Sequence, residues 1–232
     1  MPSSFRTTSY ACSSKRNSVA LRCFTAVLLV ILLAFPTSFC FPAEAQADIR
    51  RTDVIYGKTM ESRGLKPTSC PNVGSEFVYV CSEDGTEYFA RSADDATQIA
   101  SITKVMTAVV ALENSDMDRE VTVSRTAASV GESSANLQAG DVLTMENALK
   151  GLMIPSGNDA AIAIAETIGP DFQAEARETG NTLHRADGSA IDFDDPASAL
   201  DAFVAKMNEK AAELGCQDTV FENPHGLDGS QF

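Results

Sequence analysis

The sequence predicts an α/β chain of the α+β arrangement, in which an antiparallel hairpin precedes a set of helices. Three observations carry this. Phe77-Val78-Tyr79-Val80 and Glu87-Tyr88-Phe89-Ala90 are β-branched and aromatic runs, and Asp84-Gly85 between them is a hairpin turn signal. Ile99 to Leu112 is an apolar segment too long for a strand. Later segments carry helix start and stop signals, and too few strand runs follow to complete a sheet.

Taken in order, the 232 residues allow one large domain or two small ones. Arg6, Lys15, Arg16 and Arg22 form a basic lead, Cys23 to Phe35 is uncharged, and Ala45-Gln46-Ala47 is a small-x-small pattern. Those are the parts of a secretory signal peptide over residues 1–47. The apolar run is short for a membrane span, which needs roughly 20 residues; an uncleaved N-terminal anchor is the alternative. Residues 48–72 read as a loosely structured lead-in, and 73–232 as the functional domain.

Within that domain, Val121-Thr122-Val123 is a short strand candidate, and the stretch through Gly140 reads as loop. Thr144 to Met153 reads as a helix capped by Thr144. Asn158 to Ile168 reads as a second, stopped by Gly169-Pro170. Residues 179–196 are polar and read as an exposed loop. Pro196 to Leu214 reads as a third long helix closed by Gly215.

Net charge is −14 for the whole chain. The leader removes four basic residues and only one acidic one, Glu44, so the remainder is more acidic still. Such a surface argues against nucleic acid and against electrostatic docking on anionic lipid. Of the six cysteines, Cys70, Cys81 and Cys216 lie beyond the leader. Export permits a disulfide, and Cys70 and Cys81 either close a short loop or stay free. Cys216 is left over, as a buried thiol or one without a partner. His184 and His225 are the only histidines and no CxxC is present, which argues against a metal site.

The chemistry centres on Lys104, the only charged residue between Ile99 and Leu112. A helix apolar nearly all round is a core helix, and burial of an ammonium there lowers its pKa. A lysine that is neutral near pH 7 is a general base. Ser101 lies three residues earlier, on the same helical face, so the pair reads as an activated nucleophile. The bland alternative is that Ser101 caps the helix and Lys104 snorkels to the surface. Ser156-Gly157-Asn158 supplies a second polar group between two helices; its bland reading is capping of the following helix. Ser134-Ala135-Asn136 has the same pattern but reads as an ordinary surface turn.

The run Ile99-Ala100-Ser101-Ile102-Thr103-Lys104-Val105-Met106-Thr107-Ala108 resembles the first motif of the D-alanyl-D-alanine carboxypeptidases, the low-molecular-weight penicillin-binding proteins. Pro155-Ser156-Gly157-Asn158-Asp159-Ala160-Ala161 resembles their second motif. Phe203-Val204, Met207-Asn208, Leu214-Gly215, Phe221 and Asn223-Pro224-His225-Gly226-Leu227 also follow the family pattern. The resemblance implies a β-lactamase/D,D-peptidase-like fold, an antiparallel sheet flanked by helices beside a helical region. It implies that Ser101 attacks the bond between two D-alanines of a peptidoglycan stem peptide, with Lys104 as base. Ser156 relays the proton and Asn158 binds the substrate backbone. Penicillins and other β-lactams acylate Ser101, no metal or organic cofactor takes part, and the site faces the cell envelope, with peripheral membrane association left open.

The third family motif, Lys-Thr-Gly, is absent; Gly57-Lys58-Thr59 precedes the serine and has the wrong order. The expectation is therefore a chain that stops short of the strand supplying part of the oxyanion hole. A D,D-endopeptidase would use the same residues with a different pocket, and the missing strand leaves an inactive penicillin- or muropeptide-binding fragment as a further alternative. A class A β-lactamase needs a deacylating glutamate, and no glutamate between Ser156 and Phe232 has Asn four residues later.

Overall fold

Residues 53–66 and 73–227 are described by the structure, a computed structural model. The chain divides into two units, Met1–Asp95 and Ala96–Phe232. The leader expected over 1–47 lies outside the described residues.

The first unit holds β1 (Val54–Ile55), β2 (Lys58–Thr59), β3 (Val78–Cys81) and β4 (Glu87–Arg91). They form an antiparallel sheet in the order β2-β1-β4-β3. The β3–β4 hairpin turns where expected: Thr86 N–H donates to Asp84 Oδ1 at 3.1 Å, and Gly85 takes φ +83°. Residues 53–66, expected as a loose lead-in, instead fold as the β1–β2 hairpin, with Asp53 and Met60 buried. Two-residue strands carry no readable alternation, so only their pairing with β4 defines them. Arg91 clamps this hairpin, donating from Nε to Asp53 Oδ1 at 2.9 Å and from Nη2 to Oδ2 at 2.8 Å. Lys58 and Thr59 of the near-match motif are exposed on β2. Cys81 and Cys216 are exposed free thiols; Cys70 lies outside the described residues. Cys216 is thus not the buried thiol that was one of its two readings.

The second unit is helical. The apolar segment after Ile99 starts as a 3₁₀ turn, Ala100–Ile102, and continues as α1 (Thr103–Asn114). α2 (Arg125–Ser129) follows β5 (Glu120–Thr122), within a stretch read as loop; Ser124 caps it by accepting from Ala127 N–H at 2.9 Å. β6 (Val142–Thr144) pairs antiparallel with β5, a three-residue strand that only its partner reveals. Thr144 caps α3 (Met145–Met153) as expected, accepting from Asn147 N–H at 3.3 Å.

α4 (Asn158–Thr179) is the central helix and runs straight through the predicted stop at Gly169-Pro170. Ile168, Phe172 and Ala176 are all buried, at a four-residue spacing that continues past the proline. Burial of Phe172 alone is worth about 2 kcal/mol, comparable with the cost of one proline in a helix. Arg119 straddles the break, donating to Thr167 O at 2.7 Å and pairing with Asp171. Gly169 is required there, because a Cβ would lie 1.9 Å from Ala199 O of α5 (Ser198–Glu213). The true stop is Gly180, in the left-handed region at φ +72°. α5 ends before Gly215 as expected. α4 packs against α1, α2, α3 and α5, and Ala160 to Ala165 are buried on every side. Among the described residues no helix is long and apolar enough to cross a membrane.

Candidate active site

The site begins at a strained turn. Ala100 has φ +45°, a left-handed conformation that a non-glycine residue adopts at a cost of about 1–2 kcal/mol. Ser101, the next residue, lies on the exposed side of the 3₁₀ turn, while Lys104, one turn later, points inward and is 2% exposed. The snorkelling alternative is therefore excluded for Lys104. Its Nζ lies 3.1 Å from Ser101 Oγ and 2.8 Å from the main-chain oxygen of His225.

Lys104 is held below the usual lysine range by burial, partly offset by the through-space charges of Asp159 and Glu132. Nζ donates to both oxygens; a carbonyl can only accept whereas a hydroxyl can also donate, so the Ser101 contact is the one that reverses when the amine gives up a proton.

The floor is the Asn223–Leu227 loop. Asn223 Oδ1 accepts from His225 N–H at 3.1 Å and Gly226 N–H at 2.6 Å, and Thr107 Oγ1 of α1 donates to Pro224 O at 2.6 Å. Gly226, at φ +87°, rests against the carbonyl of Ala100. The loop was recognised as part of a pattern, but nothing in the sequence assigned it the lysine's acceptor.

His225 itself is buried, and its pKa is pushed down to about 4, first by burial and then by Lys104. Nδ1 accepts from Leu227 N–H at 3.1 Å, which requires the neutral ring. The unfolded chain protonates a histidine near pH 6.5 and the folded one only near 4. Stability is thus unaffected above about 6.5 and lost as pH falls toward 4, by up to about 3 kcal/mol. In urea unfolding at pH 7.5 and 4.5, His225→Gln is expected to lose less stability on acidification than the wild type. Equal losses would refute this account.

The second motif lies in the turn that opens α4. Ser156 is half-buried with φ +59°. Asn158 is buried; its N–H donates to Ser133 O at 2.8 Å and its Nδ2 to Gly131 O at 2.9 Å. Neither caps the helix, whose N-cap is Gly157, so the capping alternative is replaced by docking of the 131–137 loop. Gly157 has no room for a side chain: a Cβ would lie 2.6 Å from Asp159 Oδ1 and 2.7 Å from Gly151 O. Ser134, read as part of a surface turn, is instead bonded to Asp159 through Oγ at 2.6 Å. The overlooked signal was Asp159 itself, an acid heading the apolar run Ala160–Ala165 and therefore in need of donors.

The structure thus joins Ser101 to Lys104 directly, and connects the second motif to them through the packing of α1 on α4 and the charge of Asp159. Among the described residues no three His, Cys, Asp or Glu side chains gather around one point.

A sequence profile described as D-alanyl-D-alanine carboxypeptidase matches residues 71–174 and 193–232. The chain is 30% identical over 169 residues to D-alanyl-D-alanine carboxypeptidase DacF of Bacillus subtilis (strain 168), covering 71% of this chain and 36% of that one. It is 33% identical over 149 residues to a D-alanyl-D-alanine carboxypeptidase of Streptomyces sp. (strain K15), covering 62% and 44%. The chain therefore spans less than half the length of these two relatives. Among solved structures, the Streptomyces K15 DD-transpeptidase is similar at a TM-score of 0.54 and 31% identity, covering 67% of this chain and 54% of that one. The D-alanyl-D-alanine carboxypeptidase of Mycobacterium tuberculosis H37Rv is similar at 0.51 and 28%, covering 68% and 50%.

Proposed function

Because the chain belongs to the D-alanyl-D-alanine carboxypeptidase family, we propose that it is a serine-type acyl-transfer enzyme acting on peptidoglycan stem peptides that end in D-Ala-D-Ala. The observation that carries this is the buried Lys104 amine, 3.1 Å from an exposed serine hydroxyl. Lys104 takes the proton of Ser101 as Oγ bonds to the penultimate D-alanine carbonyl carbon. The proton passes by way of Ser156 to the leaving nitrogen, the C–N bond breaks, and terminal D-alanine departs. Water then attacks the ester, returning its proton through Lys104 and freeing the Ser101 hydroxyl. Asn158 hydrogen-bonds the substrate backbone. β-Lactams enter the first half of this cycle and stall as acyl-enzymes.

Residues 1–47 are the export signal and 73–232 the catalytic domain in this reading, which sets the work in the cell envelope. The likeness to a DD-transpeptidase supports a second reading, in which an amine rather than water accepts the acyl group.

A fluorescent penicillin tests the proposal. The full chain is expected to be labelled covalently at Ser101, and Ser101→Ala to stay unlabelled. An unlabelled wild type, or label on another residue, would overturn it. Mass spectrometry of a D-Ala-D-Ala peptide incubated with and without an acceptor amine separates hydrolysis from transfer.

A further inference from the structure

Asp159 stands directly after the Ser156-Gly157-Asn158 turn and has no part in the bond-making steps above. Its carboxyl is 1% exposed. Burial raises its proton affinity, but hydrogen bonds from Ser134, Ala135, Leu137 and Ala160 outweigh that and hold it below the usual carboxylate range. Oδ1 accepts from Ala135 N–H at 2.9 Å and Ala160 N–H at 2.8 Å. Oδ2 accepts from Ser134 Oγ at 2.6 Å and Leu137 N–H at 3.0 Å. All four partners donate, so an ionised carboxylate satisfies them and an amide cannot. The loop so gripped has two non-glycine residues in the left-handed region, Glu132 and Asn136, at φ 65° and 60°.

We propose that Asp159 is the positioning residue of the acyl-transfer centre. One buried carboxylate ties the 131–137 loop to the Ser156-Gly157-Asn158 turn, at the head of the helix against which α1 and its Lys104 pack. A general base must hold its proton briefly without leaving the site, and a nearby fixed anion makes that state accessible. Lys104 touches Ser101 of the 3₁₀ turn and the main chain of His225 in the floor, and the charges that act on it through space are those of Asp159 on α4 and Glu132 in the loop. α1 itself offers no acid before Glu113.

The inference rests on Lys104 being the base, but its test needs no acylation. NMR of the full chain with isotope-labelled lysine reads the Lys104 titration, and amide exchange reads the loop. In Asp159→Asn, Lys104 is expected to titrate at lower pH than in the wild type, and the Ala135 and Leu137 amides to exchange about tenfold faster or more. Ser134→Ala keeps the charge, so Lys104 should titrate as in the wild type. An unchanged Lys104 titration in Asp159→Asn overturns the proposal even if the loop loosens, since loosening alone is a structural effect. Should that variant not fold, the wild type decides. On acidification, the labelled Lys104 side-chain signal must shift over the same pH range in which the Ala135 and Leu137 amides lose protection, since both report Asp159 taking up a proton. A Lys104 signal that stays put while those amides lose protection overturns the proposal.

Discussion

Lys104→Met lowers the rate at which a penicillin acylates Ser101 by about 10²- to 10⁴-fold, the usual contribution of a positioned general base. Methionine keeps most of the side-chain volume, so α1 stays packed against α4 and no cavity confuses the result. Among the described residues Lys104 is one of the largest side chains almost wholly enclosed, and an apolar replacement removes the cost of desolvating its amine. That gain is set against the donor lost by His225 O, a cost of about 1–3 kcal/mol, so thermal stability is expected to fall only modestly while the rate collapses. That combination is diagnostic. A lysine serving only the fold would give the opposite pattern, with stability lost and labelling kept. Lys104→Arg does not rescue, because guanidinium stays protonated at any pH the protein survives. Stopped-flow acylation and a thermal melt on the same samples check both halves.

Gly226→Ala has the second large effect. A Cβ there would sit 1.9 Å from Ala100 O, 2.5 Å from Ala100 C and 2.8 Å from Thr103 Oγ1, at a backbone φ of +87°. Two of those atoms are backbone in the turn that carries Ser101, so no side-chain rotation relieves the clash. The floor must withdraw, and His225 O leaves Lys104 with it. A stability loss of about 2–4 kcal/mol is expected, together with loss of penicillin labelling. Gly215 and Gly188 provide the control: both take φ +82°, but an added Cβ meets nothing within 4 Å. Alanine at either costs only the left-handed strain, about 1–2 kcal/mol, and leaves labelling intact. Urea unfolding distinguishes the two classes; equal losses at Gly226 and Gly215 would remove the clash from the argument.

The extent to which the site was readable differs residue by residue. Ser101 and Lys104 were legible because a single charge in an apolar helix is a local anomaly, and three-residue spacing is a local distance. Ser156 and Asn158 were legible as a turn between two apolar segments. The partners of Asn158 were not, since Gly131 and Ser133 are more than twenty residues away and nothing in their own neighbourhood marks them. Ser134 was read as a surface turn for the same reason. Its polar surroundings look solvent-facing until the buried carboxylate that satisfies them is known.

The fold divides along the same line. The hairpin around Asp84-Gly85, the Thr144 cap and the stop at Gly215 are decided within a few residues, and the chain keeps them. The stop at Pro170 is a local rule that lost. Ile168, Phe172 and Ala176 gain more by continuing into the α5 interface than the proline costs, and Gly169 lets α5 approach closely enough to make that gain. The strands β1, β2 and β6 exist only as partners of other strands. By itself, then, the sequence determined the family and singled out Ser101 and Lys104 as the candidate pair, because these are written in short-range spacing and in one misplaced charge. Tertiary structure alone decided what surrounds Lys104. The carbonyl of His225 reaches Lys104, and the charge of Asp159 acts on it through space, from segments distant in the chain, and burial and electrostatics depend on distance in space rather than along the sequence.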